Sequence, residues 1–167
     1  MSIFPTKILL ATDGSEEATL AAQIAADFAN KTDSELHIVH ARPRITPHSP
    51  GYYVGPGVIE GAAEKERKHL DQEAQRLLDA QVEQVRTAGG STAQTHLRIG
   101  RIDEEIVAAA EELGAGLIVV GSRGQGGMRR ALMGSVSDSV VRHAHCPVLV
   151  VRKEKQEEVE PAEVGLV

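Results

Sequence analysis

The sequence predicts an α/β fold in which an open, five-stranded parallel sheet carries helices on both faces. Two observations predict this class. Short apolar runs of the kind found in buried strands alternate along the chain with longer segments in which apolar residues recur every three or four positions. The 167 residues also include only two Phe, two Tyr and no Trp. The core must therefore consist of Ala, Val, Ile and Leu, which is typical of a buried parallel sheet between Ala-rich helices.

The first half of the chain supplies two strands and two helices. Residues 7–12 (KILLAT) are predicted to form a short buried strand that ends in the turn Asp13-Gly14-Ser15. A helix at 16–30 follows, and residues 35–41 (ELHIVHA) form the second strand. A long helix at 62–88 carries one apolar stripe, and Gly89-Gly90 ends it.

The second half repeats the pattern. Residues 92–99 alternate between apolar and polar, which predicts an edge strand with one solvent-exposed face. Gly100 leads into a helix at 101–113, and the apolar run 117–120 is the central strand of this half. A helix at 135–143 and a last strand at 148–151 complete the chain.

The strand order follows from these assignments. Right-handed crossovers leave few arrangements for a β-α-β-α-β-α-β-α-β chain. An edge-like third strand and buried first and fourth strands predict the order 3-2-1-4-5. Ligands of such sheets bind beyond the carboxyl ends of the strands at the switch point, here between strands one and four. We therefore expect Asp13-Gly14 and the loop that begins at Gly121 to form opposite walls of one cleft.

The loop after the fourth strand has the composition of a phosphate site. Residues 119–139 (VVGSRGQGGMRRALMGSVSDS) place a strand end, a glycine-rich loop and a helix N-terminus in that order. Loop glycines let the backbone approach an anion, and the first helical N–H groups point at it. The segment is not a P-loop, which needs Lys-Ser/Thr where Ser135-Val136 stands, and it is not a dinucleotide loop, whose third glycine position is Arg129.

The spacing that remains, Gly121-x2-Gly124-x9-Gly134-Ser135, resembles the nucleotide-binding signature of the universal stress protein family. The resemblance extends over about residues 6–152 and includes ATDGS at 11–15, the strand that ends in His40-Ala41, and CPVLVVR at 146–152. It implies an adenine nucleotide alpha hydrolase-like, Rossmann-like domain at 1–152, with a variable loop at 42–61. It also implies ATP as the ligand, with Mg2+.

The same resemblance implies the roles of individual residues. Asp13 would lie beside the nucleoside, and the backbone of Ala41 would contact the adenine edge. The loop and helix residues would hold the phosphates. The whole expected nucleotide site is Ala11, Thr12, Asp13, Gly14, Ala41, Gly121, Arg123, Gly124, Gly134, Ser135, Val136 and Ser137.

Most of these residues also have a purely structural interpretation. The three signature glycines are compatible with tight turns alone. Ser135 forms a capping-box pattern with Asp138, and Asp13 is suited to closing a turn or capping the first helix. Three arginines beside the loop suit phosphate pairing or simple exposure to solvent; they are Arg123, Arg129 and Arg130.

The sequence places no second acid, His or nucleophile with Asp13, so we expect no catalytic residues and at most slow ATP turnover. The run His143-x-His145-Cys146 lacks the spacing of zinc ligands, and we expect no protein metal site. An adenylate-transferring enzyme is disfavoured because neither an S-G-G-x-D-S loop nor a His-x-Gly-His signature occurs.

The composition of the chain indicates which classes of partner it is expected to bind. A net charge of −6 without a basic stripe argues against nucleic acid, and no apolar run reaches the ~18 residues of a membrane span. A single cysteine favours the cytoplasm. The segment 42–61, with Tyr52 and Tyr53, is expected to be a lid, a contact surface or mobile, and the acidic tail 153–167 to be flexible.

The last strand is expected to be an open edge with four apolar residues, Val148, Leu149, Val150 and Val151. Such an edge is a template for pairing, which predicts a homodimer with two-fold symmetry. The sequence thus predicts a dimeric, ATP-binding stress-response regulator or sensor with unknown protein partners. The alternative is a nucleotide-free scaffold of the same fold that works through dimer contacts.

Overall fold

The computed structural model describes residues 6–45, 59–92, 94–125 and 133–153. Its elements follow the predicted order, and most boundaries agree within two residues. Helix α2 begins three residues before the predicted position. The elements are β1 (Lys7–Ala11), α1 (Glu16–Thr32), β2 (Glu35–Arg42), α2 (Ile59–Thr87), β3 (Gln94–Ile99), α3 (Ile102–Leu113), β4 (Leu117–Gly121), α4 (Ser135–His143) and β5 (Val148–Val151).

The sheet confirms the predicted topology. All neighbouring strands are parallel and lie in the order β3-β2-β1-β4-β5. Strand β1 occupies the centre, where Leu9 pairs with His37 on one side and with Ile118 on the other. Strands β3 and β5 are the two edges, as the alternating pattern of the third strand and the position of the last one predicted.

Apolar side chains fill both faces of the sheet. One cluster lies between the sheet and α1 and α2, and the other lies between the sheet and α3 and α4. Helix α1 faces the sheet with alanines, whose small side chains allow a close approach of helix to sheet; they are Ala18, Ala21, Ala22, Ala25, Ala26 and Ala29. The aliphatic core expected from the composition is therefore present.

The topology brings two loops together. Strands β1 and β4 are neighbours, and both end at the same edge of the sheet before α1 and α4 begin.

Several interpretations of the sequence concern residues outside the described ranges, among them Tyr52, Tyr53, Arg129, Arg130 and the acidic tail beyond residue 153. Within the described ranges, no helix has the length and apolar character needed to cross a membrane.

Candidate functional site

Asp13 joins the two loops at the switch point. Its Oδ1 atom accepts a 3.0 Å hydrogen bond from the Ser15 amide, which closes the turn after β1. Its Oδ2 atom accepts a 3.0 Å bond from the Gln125 amide, and Gln125 Nε2 donates to the Asp13 carbonyl oxygen at 2.8 Å. The N-cap of α1 is Ser15, so Asp13 closes the turn and does not cap the helix. The loops after β1 and β4 therefore lie against each other.

The other residues after β1 are held from α2 and β2. The Thr12 hydroxyl donates to Gln81 Oε1 at 2.5 Å and accepts a 3.2 Å bond from the Gly14 amide. His40 Nδ1 donates to the Thr12 carbonyl oxygen at 2.8 Å. Gly14 has φ +76°, a conformation that side chains disfavour, and Leu77 of α2 packs against it. The sequence did not single out Gln81, because in the sequence it is only one polar residue within the apolar stripe of α2.

Ala41 lies where β2 extends beyond the end of β1. The Thr12 amide donates to the Val39 carbonyl oxygen, so Val39 and, two residues later, Ala41 direct their backbone groups to the β1 side. The β1–β2 register ends at Val39. No backbone hydrogen bond joins Ala41 to the described residues beyond that point. Among the described residues, its N–H and C=O groups therefore have no backbone partner at the edge where the resemblance implies adenine.

A glutamate of α1 fixes the start of the β4–α4 loop. Glu17 Oε2 accepts hydrogen bonds from the Ser122 hydroxyl at 2.7 Å and from the Arg123 amide at 2.6 Å. The Glu17 side chain is only 12% exposed, and the Arg123 side chain lies beside it, with 3.7 Å between Nε and Oε1. The Arg123 guanidinium thus has a partner within the chain. The sequence offered no sign of this, because an acidic residue in a first helical turn is ordinary.

The first amide groups of α4 have no acceptor in the part of the chain that the structure describes. Gly134 is the N-cap, and its amide donates to the Ser122 carbonyl oxygen at 2.6 Å. The first hydrogen bond of the helix runs from the Asp138 amide to the Gly134 carbonyl oxygen, at 2.9 Å. Three amides precede it and meet no acceptor among the described residues, those of Ser135, Val136 and Ser137. They are a ready site for an anion.

The structure corrects the capping interpretation of Ser135 and shows which atoms the Ser137 hydroxyl contacts. Ser135 is the first helical residue and not the N-cap, and no side chain caps this helix. The Ser137 hydroxyl is buried and donates to the carbonyl oxygens of Ser122, at 2.8 Å, and Gly134, at 3.0 Å. Ser137 therefore offers a ligand its backbone amide, while its hydroxyl is committed to holding the loop against the helix.

The three signature glycines meet different surroundings. A Cβ on Gly121 would lie 3.1 Å from Glu17 Cβ and 3.2 Å from the Glu17 backbone carbon, so close packing of α1 on β4 explains this glycine without a ligand. A Cβ on Gly124 would lie 2.5 Å from Asp13 Oδ2. A Cβ on Gly134 would meet its nearest atom, the Ser122 carbonyl oxygen, at an ordinary 3.4 Å. Nothing in the described chain therefore requires glycine at 134.

Helix α4 is anchored to α3 one turn beyond these amides. The Asp103 carboxylate accepts a 2.6 Å hydrogen bond from the Ser139 hydroxyl and is paired with Arg101. The Ser139 hydrogen bond is the largest influence on this carboxyl and, with Arg101, outweighs burial, so the pKa of Asp103 falls from 3.8 to about 2. Asp103 is therefore charged at neutral pH and ties the two helices together. Sequence reasoning missed this contact between separate elements.

The histidines near the end of α4 have partners of their own. His143 Nδ1 donates to the Ser139 carbonyl oxygen at 2.8 Å, and His145 pairs with Glu111 at 2.7 Å. Burial raises the pKa of the neighbouring Cys146 thiol. Within the described ranges, no three or more His, Cys, Asp or Glu residues are grouped as metal ligands would be.

Comparisons with a family model and with known proteins identify the same family. The model of the universal stress protein family matches residues 5–152. Universal stress protein MJ0531 of Methanocaldococcus jannaschii is 37% identical over 151 residues, which cover 90% of this chain and 84% of that protein.

Two solved structures share the fold at similar coverage. Hypothetical protein MJ0577 has a TM-score of 0.74 and 26% identity, over 90% of this chain and 97% of its own. A universal stress protein from Archaeoglobus fulgidus, solved in complex with dAMP, has a TM-score of 0.57 and 25% identity, over 90% of this chain and 99% of its own.

Proposed function

The chain belongs to the universal stress protein family, and from this premise we propose that it binds ATP at the switch point and acts as a stress-response regulator. The observation that carries the proposal is the set of unpaired amides at the start of α4, which face no acceptor in the described chain. An anion bound there gains several hydrogen bonds and the favourable end of the helix dipole.

The proposed ligand extends from these amides toward β2. The amides of Ser135, Val136 and Ser137 would hold phosphate oxygens, and Asp13 would lie beside the nucleoside. The unpaired backbone of Ala41 offers one donor and one acceptor, which suits the edge of an adenine ring. A relative of the same family was solved in complex with dAMP, which supports an adenine nucleotide as the ligand class.

Mg2+ enters the proposal as the cation that accompanies ATP. Phosphate oxygens and water satisfy most of the coordination that Mg2+ prefers in such sites. The chain's own contribution to binding would be the amides of α4 and the loop fixed by Glu17 and Asp13.

Regulation would act through the 42–61 segment or through a homodimer. Binding would change the contacts of the 42–61 segment or of a homodimer formed along β5, and a partner protein would recognise that change. We place this function in the cytoplasm, in keeping with the chain's single cysteine.

The test is calorimetric titration of the purified protein with Mg·ATP, with Gly134→Asp and Gly134→Asn as a matched pair. Asp and Asn are both favoured N-caps and fill the same space, so both variants should be as stable as the parent or more so. Only Asp adds a negative charge beside the phosphates. We expect Gly134→Asp to weaken ATP binding at least tenfold more than Gly134→Asn does.

Equal affinities for the two variants would contradict the phosphate site. A parent protein that binds neither ATP nor AMP at millimolar concentration, and that carries no nucleotide detectable by mass spectrometry after purification, would favour the nucleotide-free scaffold.

A further inference from the structure

Gln81 is a polar residue in the middle of an apolar contact. It lies on the face of α2 that packs against the sheet, among the buried residues Ala74, Leu78 and Val85. Only 3% of Gln81 is exposed. Helical periodicity places a hydrophobic side chain at such a position, so the glutamine calls for a specific explanation.

The side-chain amide of Gln81 is only half satisfied. Its Oε1 atom accepts the proton of the Thr12 hydroxyl, at 2.5 Å, while its buried Nε2 atom has no hydrogen-bond partner in the described chain. Turning the amide over would exchange the two atoms and leave the oxygen unpaired instead. A buried unpaired polar atom destabilises a folded chain. Stability therefore gives no reason for glutamine at this position.

The bonded half of the amide acts on the candidate site. A hydroxyl has a single proton, and because Thr12 gives its proton to Gln81, its lone pairs are available to the Gly14 amide, which donates to it at 3.2 Å. Leu77, one turn earlier on α2, packs on Gly14 from the same side. Gly14 follows Asp13 directly, so these contacts from α2 add to those of Ser15 and Gln125 in fixing the turn.

We propose that Gln81 is a positioning residue for the nucleotide: it orients the Thr12 hydroxyl and through it the turn Asp13-Gly14 that meets the nucleoside. This inference rests on the proposed function.

The test compares Gln81→Met with Gln75→Met. Methionine has a similar volume to glutamine and no unpaired amide. Gln75 lies on the exposed face of the same helix, and among the described residues its side chain bonds to Asp79 of that helix, at 2.8 Å. We expect Gln81→Met to unfold at the same urea concentration as the parent or a higher one, yet to bind Mg·ATP about tenfold more weakly. Gln75→Met should bind as the parent does. A residue with only a structural role would show the opposite pattern.

A second arm isolates the contact itself. Because Gln81 acts through the Thr12 hydroxyl, the double variant Gln81→Met, Thr12→Val should bind no more weakly than Thr12→Val alone. In the ligand-free protein, hydrogen exchange at the Gly14 amide should be faster in Gln81→Met and in Thr12→Val than in Gln75→Met.

Unchanged exchange at Gly14, or losses of affinity that multiply in the double variant, would overturn the inference. Failure of the parent protein to bind ATP would contradict the proposed function instead, and the exchange measurement would still decide whether Gln81 fixes the turn.

Discussion

The carboxylate of Asp13 accepts a 3.0 Å hydrogen bond from the amide of Gln125, although 112 positions separate the two residues in the sequence. The contact joins the loop after β1 to the loop after β4 at the point where the sheet changes winding direction. Gly124 makes this contact possible, because any side chain at that position would point at the carboxylate.

Replacing Gly124 with Ala should therefore act through Asp13. The new Cβ would lie 2.5 Å from Oδ2, so the carboxylate must move and its bond to Gln125 must be lost. Since the displaced group is the end of a flexible side chain, we expect the variant to fold. We expect its affinity for Mg·ATP to fall about tenfold, measured by calorimetry.

Gly61→Ala is the control for that measurement. Gly61 lies in α2, and a Cβ there would meet no atom of the described residues within 4 Å. This variant should bind as the parent does, and its stability should not decrease, since Ala favours helix over Gly. An unaltered affinity in a folded Gly124→Ala variant would show that Asp13 does not meet the nucleotide.

Glu17 should matter for stability far more than its neighbour Glu16. The Glu17 carboxylate accepts two short hydrogen bonds from the β4–α4 loop and is almost buried, whereas the Glu16 side chain is 81% exposed and pairs with Lys153. Both bonds go to Oε2, so Glu17→Gln removes the negative charge from both of them and turns an NH2 donor toward the Arg123 guanidinium, whose Nε atom lies 3.7 Å from Oε1. We expect a loss of about 2 kcal/mol in the free energy of unfolding.

Urea denaturation of both variants measures this difference. Glu16→Gln should be indistinguishable from the parent, because exposed ion pairs contribute little. If the two variants were equally stable, the Glu17 contacts would not hold the loop in solution.

The sequence predicts the framework of this protein because periodicity and composition act locally. The aliphatic runs of β1 and β4 indicate central strands and the polar residues of β3 indicate an edge strand, and these positions agree with the observed order. The burial of β3 does not alternate as its sequence predicted, because all of its residues after Gln94 are partly buried. The glycine spacing likewise marks the loop that precedes α4. Each of these patterns lies within a single segment of the chain, so each predicts a local structure without reference to other segments.

The contacts that organise the site lie between segments. Glu17 and Gln81 look like a first-turn acid and a polar helix residue until the fold brings them to Ser122 and Thr12. The sequence also suggested that Ser135 caps α4, but Gly134 is the N-cap, and its amide donates to the Ser122 carbonyl oxygen. Contacts between residues that are far apart in the sequence leave no pattern within either segment, so they could not be predicted from a single sequence.

Asp103 should give the protein a defined pH dependence. Its pKa is lowered to about 2, mainly by the hydrogen bond from Ser139, whereas an ordinary Asp ionises near 3.8. A lowered pKa in the folded state adds stability above the unfolded value, and this stability is lost as the pH falls from about 4 towards 2. The contribution at neutral pH is about 2 kcal/mol.

Asp103→Asn removes this dependence. The difference in unfolding free energy between parent and variant should be constant above pH 5 and should shrink between pH 4 and 2. Ser139→Ala, which removes the main donor, should raise the pKa of the Asp103 carboxyl when it is followed by NMR. A difference that stayed constant down to pH 2.5 would mean that the bond between Ser139 and Asp103 does not hold the charged form.

The proposed homodimer depends on the open side of β5. Residues of a strand direct their backbone groups alternately to its two sides. The carbonyl oxygens of Pro147 and Val151 accept bonds from the amides of Ile118 in β4 and of Ser122 directly after it, so Val148 and Val150 direct theirs to the open edge. Val150→Pro removes one outward N–H and leaves the β4 ladder intact, because proline is tolerated at such edge positions.

We expect Val150→Pro to be monomeric and Val150→Ile to remain dimeric, as measured by light scattering over 1 to 100 µM, concentrations on the order of those at which stable dimers persist. Both variants keep an apolar side chain at a half-buried position, so a difference between them reports on the backbone edge and not on the core. A parent protein that is monomeric across this range would exclude the dimer. Two variants of equal mass would show that the chains associate through another surface.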